Sequence, residues 1–306
     1  MVVKGRADYT AHPARGRRRA LPRRGVYLLR SAIVGVGGMT NPYLELTEAF
    51  NQGRRRALVS SGQAVVLHRL AIMSKDGDWI LREDDEAAAH VLDVLARRGA
   101  RYRFGAPLDL RWLAGGWSAH LEYWDSGLRL RTDFLTRPPR LSAADRDRLW
   151  READATGDDV VGLEPLVLMK MTMREKDYAV IGELARRMED PRRAVLYSRS
   201  SRDLLQLARD HPDAFADAVT RRPLLAQVRN GREALDEALD RERRALMRAD
   251  EVRLQRYRDA ASEWAALWPD VARQIVGLPL HEAHRIVTAH AERVLPRTPA
   301  EGDSHD

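Results

Sequence analysis

The chain has 306 residues, 44% of them hydrophobic and 32% charged, which is enough for one large or two modest domains with a real core. The absence of cysteine excludes disulfide scaffolds, thiol nucleophiles and cysteine-ligated metal centres. No apolar run approaches the roughly 18 residues of a membrane helix, so no membrane partner and a cytoplasmic location are expected. The net charge of +7 is unevenly placed: residues 1–30 hold nine basic groups and one acid, and the remainder sums to −1.

Residues 1–40 form a basic leader without helical or strand periodicity, and the expectation is disorder. A solvated tail or a true start near Met39, a nucleic-acid-binding arm and an Arg-rich transit peptide are the competing explanations. Gly35-Val36-Gly37-Gly38 reads as linker, because it lacks the third spaced glycine and the Lys-Ser/Thr of a phosphate loop. From Asn41-Pro42, which can cap and start a helix to about Gln52, the pattern becomes regular. Ala57–Ser60 reads as a buried strand, Ala64–Met73 as a helix and Trp79–Leu81 as a second strand. Asp85–Arg97 reads as a helix ended by Gly99.

Strands are predicted over 101–104, 117–124 and 128–136, the last two joined by a hairpin at Asp125-Ser126-Gly127. Ser142 should cap a helix over 143–153, and one or two helices fill 163–188. Beyond Pro191 every predicted element is helical, including a charge-rich one over 232–264. The fold class is therefore α+β, a small mixed sheet with flanking helices at about 41–190 followed by a helical half at 191–306.

Three carboxylates carry the chemistry. Asp76 and Asp78 stand two apart just before Trp79-Ile80-Leu81, so they share a strand face if the strand begins there. Asp133 lies in the strand Arg129–Phe134, on the side opposite Leu130, Thr132 and Phe134. Three carboxylates meeting on adjacent strands are costly unless a divalent cation sits between them, and hard oxygen ligands suit Mg²⁺ or Mn²⁺. Upstream, Ser60-Ser61-Gly62-Gln63 lies between a strand and a helix, where small residues and free backbone N–H groups make an anion site. Downstream, Lys170, Arg174 and Asp177 are spaced i, i+4 and i+7, which on one helix sets them on one face where two cations can meet phosphate charge. The chain has 48 arginines and four lysines, and three of those lysines, Lys75, Lys170 and Lys176, fall in these motifs.

The order strand–Ser61-Gly62-Gln63–helix–Asp76-Gly77-Asp78–strand, with Asp133 on a later strand, resembles the minimal nucleotidyltransferase fold of the polymerase-β type. The Lys170-x-x-x-Arg174-x-Lys176-Asp177 segment is similar to that of abortive-infection nucleotidyltransferase toxins and their bacterial relatives. The resemblance spans about residues 41–190. It implies Asp76, Asp78 and Asp133 as metal ligands and catalytic residues, and Ser61, Gly62, Gln63 and Lys170 around a nucleoside triphosphate. It also implies transfer of a nucleotide to a hydroxyl on RNA or protein, a toxin or phage-defence role, and an antitoxin-like partner. Gln63 is bulkier than the Gly or Ser of the family pattern, and Gly77 stands where an apolar strand residue is usual. Two rivals follow: a catalytically inactive nucleotide- or partner-binding module on the same fold, and an RNA-binding protein working through its leader. His281, His284 and His290 lack the spacing of a zinc helix and are expected to have a structural or solvent role. His68 is expected to pack, and Trp112, Trp117 and Trp124 to fill the faces of the sheet.

Overall fold

A computed structural model of the chain describes residues 41–72 and 74–299. The expectations for residues 1–40 lie outside the described residues. Helix α1 (Pro42–Phe50) starts as the sequence suggests, with Asn41 Oδ1 accepting from Tyr43 N at 2.9 Å. Strand β1 (Ala57–Val59) and helix α2 (Ser61–Leu67) follow. The predicted helix to Met73 is cut short because Arg69 takes a left-handed φ of 59°. Arg69 N donates to Val66 O and Leu70 N to Val65 O, a Schellman ending made without the usual glycine.

Strand β2 (Asp76–Leu81) begins three residues earlier than its apolar core suggests, so both aspartates lie inside it. Helix α3 (Asp85–Arg97) has the predicted bounds, with Asp84 as N-cap and Gly99 at φ 65° as its left-handed terminator. Then come β3 (Arg101–Tyr102), the short α4 (Leu110–Leu113), β4 (Ala119–Asp125) and β5 (Leu128–Leu135). The five strands form one mixed sheet in the order β1-β2-β5-β4-β3, antiparallel except for the parallel pair β2–β5. The segment after α5 (Ala143–Thr156) pairs with the outer edge of β1 through Val59 and Val160, which covers that edge.

The two faces of the sheet differ as the alternation requires. On one, Trp79 stacks on Phe134 at 5.4 Å, Phe50 of α1 meets both edge-on, and Trp79 Nε1 donates to the buried Thr47. On the other, the upper part (Leu58, Ile80) is packed by α2, α5, α6 (Leu163–Lys170) and α7 (Glu175–Arg186) through Val65, Leu149, Leu166, Val167 and Ile181. The lower part of that face carries the charged residues.

The remaining helices are α8 (Pro191–Tyr197), α9 (Ser201–Asp210), α10 (Pro212–Arg221), a 3₁₀ stretch (Pro223–Asn230), α11 (Gly231–Ala260), α12 (Ser262–Gln274) and α13 (Leu280–Val294). α11 is 30 residues long, roughly 45 Å at the α-helical rise. Its first turns pack on Leu204, Phe215 and Leu225, its middle accepts a hydrogen bond from Arg140 at Leu246 O, and its end brings Tyr257 against Trp117. The helical half thus returns to the sheet. The same return is made by α13, whose His284 hydrogen-bonds Tyr102 of β3 at 2.7 Å.

Candidate functional site

The register of the sheet sets the site. Asp78 on β2 lies directly opposite Asp133 on β5, and Asp133 lies opposite His120 on β4. Arg103, just past β3, donates its backbone N–H to His120 O at 2.8 Å. The row across the sheet therefore reads Asp78, Asp133, His120, Arg103. The parallel row two residues along reads Asp76, Arg131, Glu122, Arg101. Expected features now have addresses: Asp76, Asp78 and Asp133 share one sheet face.

The two rows are not electrostatically alike. Glu122 receives Arg129 at 2.6 Å and Arg101 at 2.9 Å; burial raises its pKa, but the paired guanidinium groups offset this and hold it below the usual range. Asp133 Oδ1 lies 2.5 Å from an Arg103 nitrogen and 2.8 Å from His120 Nδ1. Asp76 Oδ1 is 3.6 Å from Arg131, too far for a hydrogen bond, and that oxygen is buried with no hydrogen-bond partner. Asp78 is the exception. Burial, then the facing Asp133, push its pKa up to about 7, against the pull of Lys170 and the Ser61 hydroxyl. An acid so placed is poorly stabilised as an anion by its own surroundings and gains most from an added cation. Hard oxygen donors on facing strands, one of them a buried orphan, suit a divalent ion of the Mg²⁺ class. Among the described residues no group of three or more Asp, Glu or His side chains is gathered tightly enough to hold a metal. The aspartates share a face, but Asp76 and Asp133 each have an arginine beside them.

Ser61 and Gly62 open α2 beside Asp78. Ser61 adopts φ 49°, unusual for a residue with a Cβ, and the residue before it is tied to β2 by the bond from Ser60 N to Asp78 O at 2.8 Å. A side chain at Gly62 would lie 2.3 Å from Ser74 Oγ, so this glycine serves the close approach of the chain before β2. Gln63 is buried, and its amide donates to Ser74 O at 2.9 Å. The residue expected to crowd a phosphate instead ties down that same segment. At Gly77 a Cβ would meet the Trp79 ring at 2.4 Å and the Tyr43 ring at 2.5 Å. The apolar bulk missing from the Asp-Gly-Asp motif is supplied by these two rings.

Lys170, Arg174 and Asp177 do not share a helix face, contrary to their spacing. α6 ends at Lys170 and α7 begins at Glu175. The break arises because the Thr172 hydroxyl accepts from Arg174 N and donates to Asp177 at 2.6 Å, a local alternative to the helical bond. Met173 N is meanwhile drawn to the buried Asp250 of α11 at 2.8 Å. The three residues still meet, around Asp177. Arg174 Nε donates to it at 2.8 Å and Lys170 Nζ lies 3.6 Å away. Lys170 is buried; desolvation lowers its pKa, with Asp177 and Asp78 opposing. Asp177 is thus a buried anchor that orients Lys170 toward Asp78's neighbourhood.

Two clefts adjoin the charged face. One of about 550 Å³ opens beside Asp76 and is lined in part by Tyr43, Gln63, Lys75, Arg129 and Arg131. The other, of about 430 Å³, has His120 in its wall and reaches Trp117, Tyr257 and Trp264. Of the histidines set aside by spacing, His284 bonds Tyr102, His281 lies at the surface beside Asp93 and His290 meets Gln274, while His68 bonds Val161 O. Trp112 and Trp117 donate to Leu295 O and Pro296 O, whereas Trp124 is 59% exposed.

His120 and Arg103 are the site residues that sequence reasoning missed. The signal for His120 was present. Ser126 and Gly127, both at positive φ, form a two-residue hairpin turn, and counting back from Leu128 opposite Asp125 places His120 opposite Asp133. No protein-family model, curated protein or solved structure matches the chain.

Proposed function

We propose that the protein is a nucleotidyltransferase, moving a nucleotide from a nucleoside triphosphate to an acceptor hydroxyl. The observation that carries this reading is the parallel register of Asp78 against Asp133, with Asp76 on the same face and Lys170 acting on Asp78. Asp76, Asp78 and Asp133 are the residues that would hold Mg²⁺ or Mn²⁺. When bound, such ions neutralise triphosphate charge and lower the pKa of an attacking hydroxyl. Ser61, Gly62 and Lys170 would meet the triphosphate, and the cleft with Lys75, Arg129 and Arg131 gives its charge a cationic wall. Asp133 takes the acceptor's proton. The acceptor oxygen then bonds to the α-phosphorus while the bond to the bridging oxygen breaks, and pyrophosphate leaves toward Lys170.

An inactive nucleotide-binding module is the second reading, and the arginines beside Asp76 and Asp133 favour it: they supply charge compensation where ions would otherwise be required. The two separate cleanly. With Mg²⁺, NTPs labelled at the α-phosphate should leave label on an acceptor, while γ-labelled NTPs should release theirs as pyrophosphate. Label transferred from the γ-position would overturn the nucleotidyl reading in favour of phosphoryl transfer. Nucleotide binding without transfer from either position would select the inactive module.

A further inference from the structure

Lys170 is the last residue of α6 and is buried. Its ion pair does not fix it alone, since Nζ stands 3.6 Å from Asp177, outside the range of an N–H···O hydrogen bond. The backbone just beyond it does the rest. Three residues there are tied from other parts of the chain. Arg140 joins Met171 O to Leu246 O of α11, at 3.0 Å from each. Tyr178 donates to Thr172 O at 3.1 Å, and Met173 N donates to Asp250 Oδ2 at 2.8 Å.

The last tie differs in kind, because its acceptor is a carboxylate only 3% exposed. The other oxygen of Asp250 accepts from Arg253 Nε at 3.1 Å and Nη2 at 3.0 Å. That guanidinium compensates the buried charge and fixes the plane of the carboxylate, which leaves Oδ2 for the distant amide. A helix running on through this segment would take Met173 N to Met169 O, four residues back. A bond to an ionised acceptor is roughly twice as strong as a neutral one, so Asp250 claims the donor. By doing so it stops α6 from continuing into α7.

We propose that Asp250 is a positioning residue for Lys170: through Met173 N it sets the break at the end of α6, and with it the place of the ammonium near Asp78. A residue of the helical half then governs a cation on the charged side of the sheet. The proposal rests on the nucleotidyl-transfer reading for what Lys170 meets, and on the geometry alone for where Lys170 sits.

The chain has four lysines, so limited acetylation of the full-length protein with acetic anhydride, resolved by mass spectrometry, compares Lys170 with the exposed Lys75 and Lys176 in one sample. In the wild type Lys170 should be the slowest of the three. Asp250→Ala should speed its acetylation by about ten-fold, the shift that follows loss of one buried bond to a charged group, and leave Lys75 unchanged. Asp250→Asn keeps an oxygen for Met173 N and should give a smaller rise. Thr47→Val removes the partner of Trp79 Nε1 on the opposite face of the sheet and controls for general loosening; Lys170 should react there as in the wild type. A wild-type rate at Lys170 in Asp250→Ala, or an equal rise in Thr47→Val, overturns the proposal. Should Asp250→Ala not fold, the isosteric Asn variant decides, and a wild-type rate at its Lys170 is the contrary result. Titration of Mg²⁺–ATP into the same proteins keeps the two claims apart. Weaker ATP binding by Asp250→Ala than by the wild type, with Lys170 freed, supports both. Lys170 freed while neither protein binds ATP keeps the positioning role and removes the transferase reading. ATP bound equally by both, with Lys170 unmoved, does the reverse.

Discussion

Asp78 is the residue on which pH and metal should act most visibly. Its pKa stands at about 7 against an ordinary 3.8, because burial and the facing Asp133 disfavour the anion. A carboxyl with a raised folded-state pKa contributes stability that is complete below the unfolded value and is lost as pH rises toward 7, since the native state then holds a proton the unfolded state releases. Wild-type stability should therefore fall between pH 4 and 7 relative to Asp78→Asn, measured by urea denaturation. Parallel pH profiles for the two proteins would contradict this. Mg²⁺ should raise the wild-type midpoint more above pH 7 than at pH 5, where the ligand is protonated. Gly77→Ala drives a methyl group into the Trp79 and Tyr43 rings; overpacking of this kind costs about 1–3 kcal/mol, so a lowered midpoint with an unchanged m-value is expected. From sequence, Gly77 reads only as a weakened strand, because the rings that fill its place come from residues 43 and 79.

At the scale of elements, legibility follows the locality of the signal. α3 was readable from end to end because Asp84, its apolar stripe and Gly99 are all local. The early end of α2 was not, because Arg69 takes the conformation usually given to glycine. One or two helices were open over 163–188, but the place of the break between α6 and α7 was hidden, since the atoms that secure it, Asp177 and the Asp250 carboxylate, lie 5 and 77 residues away along the chain. The spacing of Lys170, Arg174 and Asp177 did point to residues that meet, although around a buried acid instead of along a face. Asp177→Ala would leave the buried Lys170 without its partner. Removing one member of such a pair costs about 3–5 kcal/mol, a loss readable in equilibrium denaturation. Little change in stability would show that Lys170 is neutral or hydrated.

At the scale of the molecule, the sequence divides near residue 190 where composition turns helical, but the structure bonds across that point. Tyr197 donates to Glu164 at 2.9 Å, Asp250 of α11 accepts from Met173 N at 2.8 Å, and Trp112 and Trp117 find their carbonyl partners at residues 295 and 296. A fragment limited to residues 41–190 should therefore lack a cooperative thermal transition, whereas the chain carrying α11 to α13 should melt in one. A cooperative melt of the fragment would restore the two-part division. The long helix α11 joins the segment after Lys170 to the cleft at His120, accepting from Met173 N at Asp250 and setting Tyr257 against Trp117 two turns on. The most direct check on the whole reading is calorimetric titration of Mg²⁺–NTP into wild type, Asp78→Asn and Asp133→Asn. Binding by the wild type that requires Mg²⁺ and is lost in both variants is the expected result; equal binding in all three, or none in any, would contradict it.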